Sequence, residues 1–188
     1  IQHDLTADSN IYASLSEGFK AGGYATYECT EPYDPEEVTS LEFGFKGSLG
    51  ENTSLNASLF RYDYTDFQVL QVVGIQTVTR NAGDATVNGL ELEALTNVSD
   101  SLTLNYGVTL LDATYGDFLN TNGIEPQLGE QQLEGNYLTN APKVSINLGL
   151  NYTSAMASGA SLTYRANAAY KSRIYFSEFN EYSQDAYT

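Results

Sequence analysis

The stretch from Lys143 to Tyr170, KVSINLGLNYTSAMASGASLTYRANAAY, decides the fold. Val144, Ile146, Leu148, Leu150 and Tyr152 take alternate positions, with Ser145, Asn147, Gly149, Asn151 and Thr153 between them. After the polar break SAMASG, Leu162, Tyr164, Ala166, Ala168 and Tyr170 alternate with Thr163, Arg165, Asn167, Ala169 and Lys171. Successive strand side chains point to opposite faces, so this period of two predicts two strands, each apolar on one side and polar on the other. Upstream, Leu102, Leu104, Tyr106, Val108 and Leu110 share a face opposite Thr103, Asn105, Gly107, Thr109 and Leu111. Leu111 and Ala169 break the polar pattern.

Four noisier segments extend the strand reading: NIYASLSEGF from Asn10, VTSLEFGFKGSL from Val38, SLNASLFRYDYTDFQVLQVV from Ser54 and TVNGLELEAL from Thr86. In the second, Leu41, Phe43 and Phe45 oppose Glu42 and Lys46; in the last, Leu90, Leu92 and Ala94 oppose Glu91 and Glu93. The segment from Ser54 is read as one long strand with Leu55, Ala57 and Leu59 on one face and Phe60, Tyr62 and Tyr64 on the other. Arg61 and Asp63 are expected to mark the wet side of its upper half. The sum is about seven strands with a piece of one more at each end.

Composition decides which solvents these faces meet. The chain has 188 residues, the size of one ordinary domain, and a formal net charge of −16 from 8 basic and 24 acidic side chains. Such a balance excludes nucleic acid, whose phosphates demand the opposite sign. Hydrophobic residues make up 41% and no run of 18 apolar residues exists, so no transmembrane helix is encoded. A membrane barrel stays open, because its alternating faces cancel in any average. Cys29 is alone, which rules out an internal disulfide. IQHDLTADSN has neither the basic start nor the apolar core of a secretory signal. Tyr (15) and Gly (16) are abundant, Pro is scarce (4) and Trp absent, a balance that favours sheet.

Connections alternate in length. GEN (Gly50 to Asn52), NVSD (Asn97 to Asp100), SAMASG and a turn at Asp8 and Ser9 are tight. ATYECTEPYDPEE from Ala25, FLNTNGIEPQLGEQQLEGNYLTN from Phe118 and SEFNEYSQD from Ser177 are long; on that side the link near Val73 to Gln76 is read as short. Short turns at one end and long loops at the other are the pattern of an antiparallel up-and-down transmembrane β-barrel, whose strands need ~9–11 residues to cross a tilted path through the bilayer. The apolar face then meets lipid and the polar face a lumen. Tyr106, Tyr152, Tyr164 and Tyr170 suit the headgroup girdle. Lys46, Arg61, Arg165 and Lys171 are assigned to the lumen, where a charge costs little.

Acidic residues gather in the long loops. Glu28, Glu31, Asp34, Glu36 and Glu37 occupy the first, Asp112, Asp117, Glu125, Glu130 and Glu134 lie in or beside the second, and Glu178, Glu181 and Asp185 follow in the third. One reading is a mouth whose field draws cationic or metal-bearing ligands, or whose oxygens hold Ca²⁺. The other is solvated loops, bridged through divalent ions to neighbouring lipopolysaccharide; solvation is the commoner fate of acidic runs.

Catalysis finds no support. His3 is the sole histidine and has no metal-binding or nucleophilic companion. Cys29 reads as a bystander thiol or a bridge to another segment. Glu91 and Glu93 are spaced by two on a strand, which puts both on one face; with Glu42, Lys46, Arg165 and Lys171 they read as luminal contacts to a filling domain. Gly18, Gly22 and Gly23 lack the spacing of a phosphate loop and read as points where a strand bends. No enzyme, cofactor or resident metal is expected.

Several of these stretches together resemble one family. YASLSEGFKAGGY, YDPEEVTSLEFGFKGSL, LFRYDYTDFQV, NAGDATVNGLELEA and NAPKVSINLGLNY are similar, in this order, to barrel strands of TonB-dependent outer-membrane receptors. The resemblance implies a middle-to-late section, seven to eight strands, of a barrel of about 22 strands whose lumen is plugged. It places the plug and the terminal strands outside this chain and leaves both sheet edges to be paired by the rest of the barrel. It further implies import of a scarce ligand, most often a ferric siderophore, with the TonB system acting through the plug and with outer-membrane lipid and lipopolysaccharide around the wall. The loop acids Glu28, Glu31, Asp34, Glu36, Glu37, Glu125 and Glu130 are then the ligand-binding candidates. Two other readings compete: a self-contained barrel of eight strands with a structural or adhesive role, and a soluble β-sandwich that binds ligands or cleaves sugars.

Overall fold

In a computed structural model of the chain, residues 1–25, 28–73 and 76–188 are described. Thr26 and Tyr27 in the first long loop, and Gly74 and Ile75 in the link after Val73, lie outside the described residues. The chain runs as successive hairpins. β1 (Gln2–Thr6) turns at once into β2 (Ser9–Lys20), which rises to a small ribbon of β3 (Gly23–Ala25) and β4 (Glu28–Tyr33). β5 (Glu36–Leu49) descends and β6 (Thr53–Thr65) climbs, leading into a ribbon of β7 (Gln68–Val73) and β8 (Gln76–Asn81). β9 (Ala85–Ser99) and β10 (Leu102–Tyr115) repeat the motion below a third excursion. That excursion holds β11 (Leu119–Thr121), one 3-10 turn (Pro126–Leu128) and β12 (Glu130–Gln132). β13 (Val144–Ala155) and β14 (Ser161–Lys171) follow, then short β15 (Ile174–Tyr175) and β16 (Ser183–Gln184).

Eight strands form one sheet in the order β1-β2-β5-β6-β9-β10-β13-β14, every neighbour antiparallel and next in line. The sheet does not close on itself; β1 and β14 are its edges. Apart from β1 its strands run from 11 to 15 residues, more than a tilted crossing needs, so they project past the bilayer. The tight turns at the other end rely on left-handed residues where expected: Gly50 has φ 67° and Gly159 φ 84°.

The segment from Ser54 is not one strand. It breaks at Asp66, whose φ of 52° turns the chain out of the sheet, and β7 and β8 pair only with each other in their own ribbon. The connection from β6 to β9 is therefore a long excursion, not a short link, and every connection at this end is built up.

Register fixes the faces, because directly paired residues project the same way. Ile11, Phe45, Ala57, Leu92, Val108, Ile146 and Tyr170 form one continuous row across seven strands. Ala13, Phe43, Leu59, Leu90, Leu110 and Val144 form the next toward the loops. One row further the same face turns polar: Leu15 and Leu41 are followed by Arg61, Asn88 and Asp112. Arg61 therefore lies on the outer face and not in the lumen. Its guanidinium grips Asp63 at 2.6 Å, and both stand about half exposed above the apolar band, where an ion pair costs little desolvation. Tyr106 likewise sits in mid-band on β10, between Leu104 and Val108. Tyr152 and Tyr164, paired directly and stacked at 6.2 Å, mark the short-turn boundary.

The core sits at the loop end of the polar face. Val69, Ala82, Ala85, Ala113, Tyr115, Phe118, Leu133 and Leu138 are buried together, with Tyr64, Phe67, Val87 and Leu111 packed against them. The odd Leu111 of the polar face is thereby explained: it lies under the loops and not beside water.

Candidate functional site

Two surfaces on the polar face carry functional potential: the bare wall of the sheet and the body of loops folded over its upper end. On the wall, Tyr12, Glu42, Lys46, Asn56, Glu91 and Glu93 line a recess of about 250 Å³. The Tyr12 hydroxyl donates to the Glu42 carboxylate, and the Lys46 ammonium stands 5.0 Å from the centre of the Tyr12 ring. Phe60 caps this recess from the loop side. Its ring lies on Gly89 and stacks on Tyr62 at 4.8 Å. Further along, Asn105, Asn147, Asn151, Asn167 and Arg165 continue the same face. Glu91, Glu93 and Arg165 make no side-chain hydrogen bond among the described residues, which leaves a hydrated wall with charges free to meet another surface.

The loop body is assembled by buried amides. Gln68 sits at the root of β7, only 9% exposed, and its Nε2 donates to the carbonyl oxygens of Ala21 and Asp34, each at 3.1 Å. Its own backbone N–H donates to Glu36 Oε2 at 2.7 Å. Asn81 repeats the clasp: its Nδ2 donates to the Asp66 and Asp34 carbonyls, and its Oδ1 accepts the Asp34 N–H at 2.8 Å. Two amides thus bind the β3–β4 excursion to the β7–β8 ribbon. On the other flank, Asn120 and Asn122, 5% and 4% exposed, donate to the carboxylates of Glu178 and Glu181 at 3.0 and 2.9 Å. Asn180 accepts the Tyr137 N–H and donates to the Tyr137 carbonyl. Between the clasps runs an aromatic chain, Tyr64–Phe67–Tyr115–Phe118, with ring centres 5.3, 6.2 and 5.3 Å apart.

The candidate acids whose side chains are described lie on separate elements. Glu36 is half-buried and serves the Gln68 clasp, and Asp34 takes part through its backbone. Glu37 stands on the outer face beside Phe19 and Thr65. Glu125 and Glu130 are exposed on the β11–β12 excursion. Glu28 and Glu31 lie on β4, and their side chains, like that of Cys29, lie outside the described residues. Among the described residues no group of three His, Cys, Asp or Glu side chains is placed to hold a metal ion. The clasping amides escaped the sequence reading because a buried Gln or Asn carries no periodic mark. The one signal was Gln68 beside Val69 in the segment that breaks at Asp66.

The whole chain, residues 1–188, matches the model of a family described as TonB dependent receptor-like, beta-barrel. It is 31% identical over 184 residues to the protein called "Probable TonB-dependent siderophore receptor PiuA" of Acinetobacter baumannii, covering 90% of this chain and 23% of that relative. Among solved structures it superposes on the ferric yersiniabactin uptake receptor FyuA of Yersinia pestis with a TM-score of 0.79 at 20% identity, across 99% of this chain and 27% of that one. The ferric preacinetobactin receptor BauA of A. baumannii gives 0.71 at 21% identity, across 97% and 26%. The chain therefore spans about a quarter of the length of such proteins.

Proposed function

The chain belongs to the TonB-dependent receptor-like β-barrel family, and on that premise we propose that it builds part of the wall and mouth of a receptor importing a ferric siderophore. Its relatives are outer-membrane receptors and not enzymes. The observation that carries the cargo reading is the match to a siderophore receptor along nine-tenths of the chain.

The two polar surfaces divide the work. The loop body, clasped by Gln68 and Asn81, presents a preformed rim above the lumen. Exposed Glu125 and Glu130, with Glu28, Glu31 and Asp34 on the neighbouring excursion, Glu36 held in the clasp and Glu37 beside it on the outer face of β5, lend this rim a negative field that raises the local concentration of cationic or metal-bearing cargo. The wall below, with Glu42, Glu91, Glu93 and Arg165, meets the polar surface of a domain filling the bore, through which TonB acts. A buried carboxylate on such a wall is stable only against a basic partner, so the filling domain opposes it with Arg or Lys.

Uptake decides the reading. Cells lacking their own siderophore receptors and expressing the complete receptor are given ⁵⁵Fe-labelled catecholate, hydroxamate and mixed chelates, with cobalamin and oligosaccharide as controls. Energy-dependent iron accumulation with at least one chelate class supports the proposal; accumulation of a control alone, or of nothing, refutes it.

A further inference from the structure

The three excursions, β3–β4, β7–β8 and β11–β12, stand on feet that meet at one short segment, residues 81–85, where β8 ends and β9 begins. Asn81 holds the first: its Nδ2 donates to the Asp34 carbonyl at 3.1 Å, and its Oδ1 accepts the Asp34 N–H at 2.8 Å. Ala82 and Gly83 hold the foot of the second. The Ala82 N–H donates to the Phe67 carbonyl at 2.6 Å, and the Phe67 N–H donates to the Gly83 carbonyl at 3.0 Å. Gly83 and Asp84 meet the third. A Cβ on Gly83 would run into the Asp117 carbonyl oxygen, and the Asp84 carbonyl accepts the Gly116 N–H at 2.7 Å. Ala85, at the far end, is register partner to both Tyr64 and Tyr115 and so belongs to the sheet.

Little slack is left in this segment. Ala82 and Ala85, 0% and 1% exposed, are packed in one cluster with Val69, Tyr115 and Phe118. Among the described residues no hydrogen bond joins the first excursion directly to the third. The contacts that do exist run in series. A shift of Asp117 withdraws the surface against which Gly83 rests, and the Gly83 carbonyl holds Phe67. A shift of Phe67 loosens Ala82 and its neighbour Asn81, whose amide holds Asp34.

We propose that residues 81–85 act as a coupling belt that gives the three excursions one common opening equilibrium, so that whatever one of them grips steadies the other two. The first contact with a cargo then carries the ordering cost of the whole rim and later contacts carry less, which is cooperative capture without a change of shape. This holds whichever cargo the mouth accepts, so it stands or falls apart from the siderophore reading.

Hydrogen exchange on the complete receptor in bilayer discs, resolved by mass spectrometry, tests it. On the unaltered receptor the slowest amides of β3–β4, β7–β8 and β11–β12 are expected to share one opening constant within about threefold, as members of one cooperative unit do. A wider spread overturns the proposal. Gly83→Ala presses on the third excursion; it should raise exchange about tenfold in β11–β12 and equally in β3–β4, which makes no hydrogen bond to Gly83. Asn81→Ala releases the first and should quicken β11–β12 about tenfold as well. In both variants β13 and β14 keep their protection. Acceleration confined to the excursion that each variant touches overturns the proposal, as does loosening that runs through β9 and β10 to the short turns. Should Gly83→Ala fail to fold, Gly116→Ala, whose Cβ would crowd Asp84 at 3.1 Å, takes its place, and the opening constants of the unaltered receptor still decide.

Discussion

The ring of Phe60 lies directly on Gly89 of the adjacent strand, so closely that a Cβ built on that glycine would come 2.1 Å from the ring's far carbon. The two residues are register partners on the luminal face, and the ring also stacks on Tyr62. Gly89 is thus required by a neighbour and not by its own backbone.

Gly89→Ala should therefore destabilise the complete barrel by roughly 1–3 kcal/mol, the usual cost of overpacking. Adding Phe60→Leu should restore part of the loss. Urea unfolding in lipid vesicles measures both; an unrescued double variant would show that the clash is not the cause.

Gln68→Ala removes the donor that holds the Ala21 and Asp34 carbonyls. Leaving those acceptors to water or to nothing should cost about 1–3 kcal/mol of local stability. Hydrogen exchange should quicken in β3, β4 and β7 while β13 and β14 stay protected.

Leu148 and Asn147 are adjacent but face lipid and lumen respectively. Leu148→Arg, at the middle of β13, should cost roughly 2–4 kcal/mol in a bilayer, and Asn147→Arg far less. Equal losses in refolding experiments would invalidate the assignment of faces.

Glu125 and Glu130, both exposed, are expected to act through their field. Their joint replacement by Gln should slow association of a cationic or metal-bearing ligand by on the order of twofold at low salt, with the difference vanishing near 1 M salt, where charges beyond ~3 Å are screened. Stopped-flow binding on the complete receptor measures it.

The strands with unbroken alternation were legible down to the residue. All fifteen apolar positions read on β10, β13 and β14 share one face, because the pleat permits nothing else. What the period cannot show is where along a strand the solvent changes. Arg61 continues the outer face of Leu59, and only register against Asn88 and Asp112 reveals that the apolar band has already ended there. The break at Asp66 was hidden for a related reason: β7 is as rich in apolar residues as β6, yet its Val69 packs into the loop core and not onto the sheet. The clasps of Gln68, Asn81, Asn120 and Asn122 depend on contacts between excursions distant in sequence, which no local pattern encodes. The loop acids were easy to see and hard to interpret, since like charges spread over separate ribbons give no common point of action.

Beyond β14 the chain turns back, and Lys171 and Tyr187 exchange both backbone hydrogen bonds at 3.0 Å. The growing margin of the sheet thus already templates its next member. Since each strand of the sheet pairs with the one laid down before it, such a wall can be extended one hairpin at a time. Gain or loss of a whole hairpin would alter the girth of the cylinder without rethreading it.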